Sequence, residues 1–205
     1  MAANNDFAQT IRTVEDMEPV ARGIVHTYCE ERGLDENDIP PNVWLDIITE
    51  LYISLFKPCN KLLKTESNLY NAYDISKVEY VYLYIYKRLC DGHGQESSQK
   101  GFCDMIGMEK RTLYDWAEGR LSTQSSHLQE KIMADNEESL FALMKDRRIN
   151  PMKILPKLNK VHGWNMPGTR SESTKQSPLN VSQLPQLGSN AGNLRQIAQN
   201  GDNEI

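Results

Sequence analysis

Apolar residues recur at steps of three and four along most of the chain, the spacing that gathers them on one face of an α-helix. Gly33 and Pro58 stand where the first two such segments are expected to end, and Asp74 stands where the third is expected to begin as an N-cap. The pattern predicts an all-α fold. The expected helices cover residues 13–32, 41–57, 76–90, 98–106, 110–118 and 126–145, and a last helix opens at Pro151 and breaks near Pro156.

The third segment also fits a β-strand. In EYVYLYIYKRLC the tyrosines alternate with aliphatic residues, which is the two-residue period of a half-buried strand. We favour a helix because no partner strand is evident and because the polar run over residues 91–100 provides a helix end. Its tyrosines, Tyr80, Tyr82, Tyr84 and Tyr86, are expected to serve in the core and at interfaces.

The stretch GFCDMIGMEKRTLYDWAEGR has the features of a helix-turn-helix. Phe102 and Ile106 lie four apart on a first short helix, and Leu113 and Trp116 lie three apart on a second. Gly107 stands between them, where a steep turn needs a positive φ. We therefore predict two short helices that pack through these apolar residues. A helix-turn-helix used only for packing or for protein contact remains an alternative.

The outer face of the second helix is predicted by exclusion to carry Lys110, Arg111, Thr112, Tyr114 and Asp115. In DNA-binding proteins of this kind the N-terminal part of the second helix enters the major groove. Arg111 could then read a guanine edge, and Thr112 or Tyr114 could contact a phosphate or a thymine methyl group. Lys110 is expected to contact a phosphate.

Charge is spread unevenly along the 205 residues, whose net charge is −5. Residues 1–58 hold eleven acidic and four basic side chains, a net of −7, whereas residues 145–162 hold six basic and one acidic, a net of +5. A basic segment in an acidic protein can neutralise DNA phosphates, although a solvated helix face has the same composition. The further candidate DNA-binding residues are Arg120, Lys145, Arg147, Arg148, Lys153 and Lys157.

Several functional classes find no support in the sequence. No apolar run reaches the roughly 18 residues of a membrane span, and the N-terminus lacks the pattern of a secretory signal, so a cytoplasmic protein is expected. Cys90 and His93 lack the second ligand pair of a structural zinc site, so we predict no metal and no cofactor. No catalytic motif is present and the four histidines are isolated in sequence, which predicts a protein that is not an enzyme and has no catalytic residue.

Composition and charge divide the chain into three predicted regions. Residues 1–58 form an acidic helical region, and residues 59–164 form a helix-turn-helix domain with basic C-terminal helices. Residues 165–205 are rich in Ser, Asn, Gln, Pro and Gly. Such a segment buries too little apolar surface to offset the entropy of ordering its backbone, so we predict a flexible polar tail.

Four short motifs resemble helix-turn-helix proteins of bacteriophages and mobile elements of low-GC Gram-positive bacteria, a group often labelled small-terminase-like. They are a T-L-Y-x-W recognition helix, an E-E-S-L helix, a basic R-x-N-P turn and an L-N-x-x-x-G-W ending. The resemblance spans about Ser76 to Leu187 and implies recognition of a DNA site, ring or dimer assembly, and delivery of DNA to a large ATPase-nuclease subunit. In this chain the motifs stand at Thr112–Trp116, Glu137–Leu140, Arg148–Pro151 and Leu158–Trp164.

Two functions are therefore expected. The first is a sequence-specific accessory protein that binds double-stranded DNA and recruits a partner, similar to the terminase small subunit and acting with a large terminase subunit. The second is a helix-turn-helix regulator or host-interaction factor that inhibits a host nucleic-acid enzyme, for example a defence nuclease such as CRISPR-Cas. Both predict a homo-oligomer in the cytoplasm of a bacterial host, as a ring for packaging or as a dimer for regulation.

Overall fold

The computed structural model describes residues 11–65, 73–119, 122–146 and 149–164. These residues form helices and no β-strand beyond one isolated bridge between Lys64 and Tyr73, so the predicted all-α class is confirmed. The α-helices are α1 (Met17–Arg32), α2 (Pro41–Leu51), α3 (Ile75–Tyr80), α4 (Arg88–Gly92), α5 (Gln99–Ile106), α6 (Lys110–Ala117), α7 (Thr123–Lys145) and α8 (Leu155–His162).

Two π-helical segments extend the α-helices. α2 continues through Tyr52–Phe56, where the Lys57 N–H donates to the Tyr52 carbonyl at 2.8 Å, one residue further along than in an α-helix. α3 continues through Val81–Lys87 into α4 without a break. The predicted helix end at Gly33 is confirmed. The predicted cap at Asp74 is also confirmed, because its carboxylate accepts a hydrogen bond from the Lys77 N–H.

The second π segment contains the tyrosines whose alternation also fitted a β-strand. Tyr82 and Tyr86 are buried, and their rings lie 5.1 and 5.4 Å from the ring centroid of Phe102 on α5. Tyr84 is exposed and Tyr80 is half-buried at the edge of the core, and their rings stack with centroids 4.6 Å apart. The tyrosines thus belong to two faces of one helix, and the helical prediction is confirmed.

One hydrophobic core joins α1 through α6 with the first half of α7. It runs along the sequence from Ile11 to Ile132 and includes Trp44 of α2 together with Phe102 and Trp116 of the helix-turn-helix. α2 packs against both α1 and α5. The predicted boundary at residue 58 therefore falls inside a shared core. The acidic helices α1 and α2 belong to the same core as the helix-turn-helix.

A second, smaller cluster lies at the other end of α7. It consists of Leu140, Ile154 and Leu158, and Trp164 packs against it, as predicted. Pro151 opens a short 3₁₀ turn, and the helix breaks at Ile154 so that Pro156 sits in the first turn of α8. The predicted tail, residues 165–205, lies outside the described residues.

Candidate nucleic-acid interface

The turn between α5 and α6 has the geometry that the sequence predicts. Ser98 caps α5 by accepting from the Gly101 N–H, and α5 ends at Gly107 with a φ of 70° in the left-handed region. A Cβ atom at Gly107 would lie closer than 3.0 Å to the Tyr52 ring of α2. Only glycine therefore combines this backbone conformation with this close approach.

The inner face of α6 packs into the main core. Leu113 and Trp116 are buried, and the Trp116 ring meets the Tyr73 ring edge-on at 6.5 Å between centroids. The Trp116 carbonyl also accepts from the Ser126 hydroxyl at 2.8 Å, which ties the end of α6 to the start of α7. These contacts fix the orientation of α6, so its outer face is presented on a rigid element.

One predicted contact residue lies on the wrong side of α6. Thr112 is only 2% exposed, so the expectation that it belongs to the outer face is wrong. It precedes Trp116 by four residues, and residues four apart share one face of a helix. Among the described residues, neither the Thr112 hydroxyl nor the Trp116 indole N–H has a hydrogen-bond partner. Thr112 contributes packing to the core.

Three of the remaining four predicted residues face outward, whereas Asp115 is half-buried. Lys110 and Arg111 are exposed on the first turn of α6, and Tyr114 follows them with 52% of its surface exposed. The Lys110 ammonium lies 5.4 Å from the centroid of the Tyr114 ring, a cation–π contact. We call this set of three residues, Lys110, Arg111 and Tyr114, the α6 outer face. Its donors and its aromatic ring lie together on one rigid helix.

The basic C-terminal segment is only partly available as a phosphate-binding surface. Lys145 at the end of α7 and Lys153 in the 3₁₀ turn are exposed. Lys157 forms an ion pair with Glu96, which offsets its charge. The other predicted contacts, Arg120, Arg147 and Arg148, lie outside the described residues.

A polar junction that the sequence did not indicate attaches α8 to the rest of the fold. The Asn136 side-chain amide of α7 donates to the Glu96 carboxylate at 2.9 Å and to the Ser97 carbonyl at 3.2 Å. Its oxygen lies 3.0 Å from Nε2 of His162, whose side chain is 5% exposed. Because Asn136 Oδ1 can only accept, His162 Nε2 is the donor. The Trp164 indole N–H donates to Glu137 at 2.8 Å.

One feature of the sequence is consistent with this polar junction. Asn136 and Ser139 occupy positions on α7 between the buried apolar residues Ile132 and Leu140. A polar side chain at such a position is normally hydrogen-bonded inside the protein. This signal could have placed Asn136 in the interior, but it could not have named partners that lie 39 and 40 residues earlier.

The chemistry available elsewhere is limited. The four cysteines are free and buried, and burial raises the pKa of each thiol, in Cys103 to about 12. Such thiols stay protonated at neutral pH. Within the described ranges no group of three or more His, Cys, Asp or Glu side chains is placed to hold a metal ion. None of the described helices is long and apolar enough to cross a membrane.

No protein-family model, curated protein or solved structure matches the chain. The resemblance to small-terminase-like proteins therefore stays a prediction from short motifs. The α6 outer face and the charges around it carry the functional proposal.

Proposed function

We propose that the protein binds double-stranded DNA through the α6 outer face and acts as a sequence-specific accessory factor of a phage or mobile element. The observation that best supports this is the exposure of Lys110, Arg111 and Tyr114 on a helix whose opposite face is locked into the core. In DNA-binding helix-turn-helix proteins these N-terminal turns of the second helix contact base edges. The proposed action is binding and recruitment, without a catalytic step.

Each side chain has a distinct role in this proposal. Arg111 reads a guanine through two parallel hydrogen bonds, because its guanidinium matches the two acceptors on that base edge. Lys110 contacts a phosphate and sets the register of the helix on the duplex. Tyr114 contacts a phosphate or a thymine methyl group from the next turn, beside Lys110.

The basic segment supplies binding that does not depend on sequence. Exposed Lys145 and Lys153 neutralise phosphates and release counterions, together with Arg120, Arg147 and Arg148. Lys157 contributes less than these residues because its ammonium already pairs with Glu96. As a terminase small-subunit-like factor, the protein would assemble with copies of itself and bring the bound DNA to a large terminase subunit.

The proposal is tested by selecting a preferred duplex from a random pool and measuring its affinity by fluorescence anisotropy over a range of salt concentrations. Arg111→Ala is expected to lose about 1–3 kcal/mol of discrimination at one base pair while still binding other duplexes. Lys145→Ala with Lys153→Ala is expected to weaken all duplexes equally and to reduce the salt slope by about 2.

Arg12→Ala is the control, because Arg12 is an exposed cation of the acidic N-terminal region. It should leave both the affinity and the salt slope unchanged. The absence of binding to any duplex at low salt would overturn the proposal. So would an unchanged sequence preference in a folded Arg111→Ala protein.

A second candidate function is a regulator or host-interaction factor that blocks a host nucleic-acid enzyme, such as a defence nuclease. The shared core favours it, because α1 and α2 hold exposed acidic residues such as Glu31 and Asp46 in a fixed position beside the helix-turn-helix. A dimer that co-purifies with a host nuclease would support this candidate. A closed ring that co-purifies with a large terminase subunit would support packaging.

A further inference from the structure

A cavity of about 470 Å³ lies between α1, the loop over residues 33–40 and the end of α4. This volume is typical of sites for small molecules. None of the cavity residues belongs to the α6 outer face, so the cavity is a separate feature of the protein. Its polar wall includes Arg22, His26, Glu36, Arg88 and His93, and Gly23 leaves part of the wall open.

Two guanidinium groups are held side by side in this wall. Arg22 and Arg88 both donate to one oxygen of Glu18, at 3.1 and 3.2 Å. Arg88 also lies over the Tyr84 ring, 4.9 Å from its centroid, which fixes its orientation. The side chains of Arg22 and Arg88 are 58% and 51% exposed, and each guanidinium has five N–H donors. Most of these donors remain available to a ligand.

A third positive charge comes from α1. The His26 imidazole pairs with the Glu36 carboxylate, and this hydrogen bond raises the pKa of His26. With His26 protonated, Arg22, Arg88 and His26 carry three positive charges against the two carboxylates that they contact, Glu18 for the arginines and Glu36 for His26, which leaves one excess positive charge among these contacts. His93 donates through Nδ1 to the Glu36 backbone carbonyl at 2.8 Å and holds the loop against the end of α4. This end of the cavity suits an anion.

The other end of the cavity has the opposite character. An adjoining cavity of about 470 Å³ shares His26, Glu36 and His93 with the first. It adds the acidic residues Glu30 and Asp35, whose oxygens accept hydrogen bonds. The two cavities form one groove with donors at one end and acceptors at the other. A ligand that fits must carry an anionic group at one end and hydrogen-bond donors such as hydroxyl groups at the other.

We propose that this groove binds a small hydroxylated phosphate ester, a mononucleotide or a sugar phosphate. The phosphate lies against Arg22, Arg88 and protonated His26. The hydroxyl groups point toward Glu30 and Asp35. Arginine suits the phosphate end because its planar donors match two phosphate oxygens at once.

Calorimetric titration with adenosine monophosphate tests the proposal on the full chain, with adenosine as the comparison ligand. The wild-type protein is expected to bind the monophosphate and not adenosine. Arg22→Gln and Arg88→Gln should each weaken binding at least tenfold, because each removes one of the paired guanidinium groups. Arg12→Gln, outside the groove, and Arg111→Ala, on α6, should bind as the wild type does.

Gly23→Leu separates loss of the site from loss of the fold. An added Cβ at Gly23 meets no atom within 4 Å, so a leucine side chain there starts in open space at the groove. Leucine also has the higher helix propensity, so this variant should fold at least as well as the wild type and yet bind weakly. Three results would overturn the proposal: no binding of the monophosphate at millimolar concentration, equal binding of adenosine, or wild-type affinity in all three groove variants.

Discussion

The two ends of α7 are held in different ways. At its start, α7 packs on a core of large apolar side chains that includes Phe102, Trp116 and Ile132. At its far end, α8 is attached by three buried apolar residues and by the polar junction around Asn136 and His162. Apolar burial stabilises a contact strongly and does not require a particular orientation of the side chains. A hydrogen-bonded junction, in contrast, depends on every partner being present.

This difference indicates which part of the protein can open locally while the rest stays folded. Local stability varies across a protein, and segments with few buried apolar contacts open first. We therefore expect α8 to open with its own, smaller free energy, while the helix-turn-helix unfolds only with the main core. The α6 outer face then belongs to the rigid part of the protein, and Lys153 belongs to the adjustable part.

The largest effect is expected from Gly107→Ala, at the turn between α5 and α6. The left-handed backbone costs a non-glycine residue about 1–2 kcal/mol. The new Cβ would also overlap the Tyr52 ring, which adds about 1–3 kcal/mol. Chemical denaturation should therefore show a loss of about 2–5 kcal/mol in the free energy of unfolding.

Gly119→Ala is the matched control for this prediction. Gly119 has a φ of 68°, close to that of Gly107, but its added Cβ would meet only the Ser126 hydroxyl at 3.9 Å. It should lose only the backbone contribution of about 1–2 kcal/mol. Equal losses in the two variants would show that the contact between Gly107 and Tyr52 does not matter.

A smaller and local effect is expected from Asn136→Ala. The change leaves the Ser97 carbonyl and His162 Nε2 without their partner, and a buried unsatisfied group costs about 1–3 kcal/mol. Amide hydrogen exchange in α8 should become faster by the factor that this loss of free energy corresponds to, and exchange in α5 should change little. Glu130→Ala, an exposed change on the same helix, should alter neither. Equal acceleration in α5 and α8 would mean that the two clusters open together.

The smallest effect concerns His26, which lies on the surface outside both clusters. Its pKa is raised in the folded protein by the hydrogen bond to Glu36. The pair therefore adds full stability below the unfolded pKa of about 6.5 and loses it as the pH rises through the folded pKa. The difference in unfolding free energy between wild type and His26→Gln should be small and should shrink from pH 6 to pH 8. A difference that grows with pH would contradict the pairing.

The same contrast explains what could be predicted from the sequence. Helical periodicity placed Leu113 and Trp116 inside, and Gly107 marked the turn, because apolar burial and positive φ leave direct traces in residue type. Thr112 was misplaced for a related reason. Threonine counts as polar in such a pattern, yet its position four residues before Trp116 turns it inward.

Other features left no such trace. The π segments use the same residue types as an α-helix and differ in their backbone hydrogen bonds, such as the bond from the Lys57 N–H to the Tyr52 carbonyl in the first of them. The ion pair of Lys157 with Glu96 joins residues 61 positions apart, a separation that local patterns do not report. The α6 outer face was therefore largely predictable, whereas the partial neutralisation of the basic segment was not.

The length of α7 has a consequence for how far the protein could reach. From Ser126, which touches the end of α6, to Lys145 the helix rises about 28 Å at about 1.5 Å per residue. α7 therefore holds Lys145 at a set distance from α6. That distance approaches one turn of B-DNA, about 34 Å. Inserting or deleting residues within α7 would change both the distance between the α6 outer face and Lys145 and the rotation of one relative to the other about the helix axis.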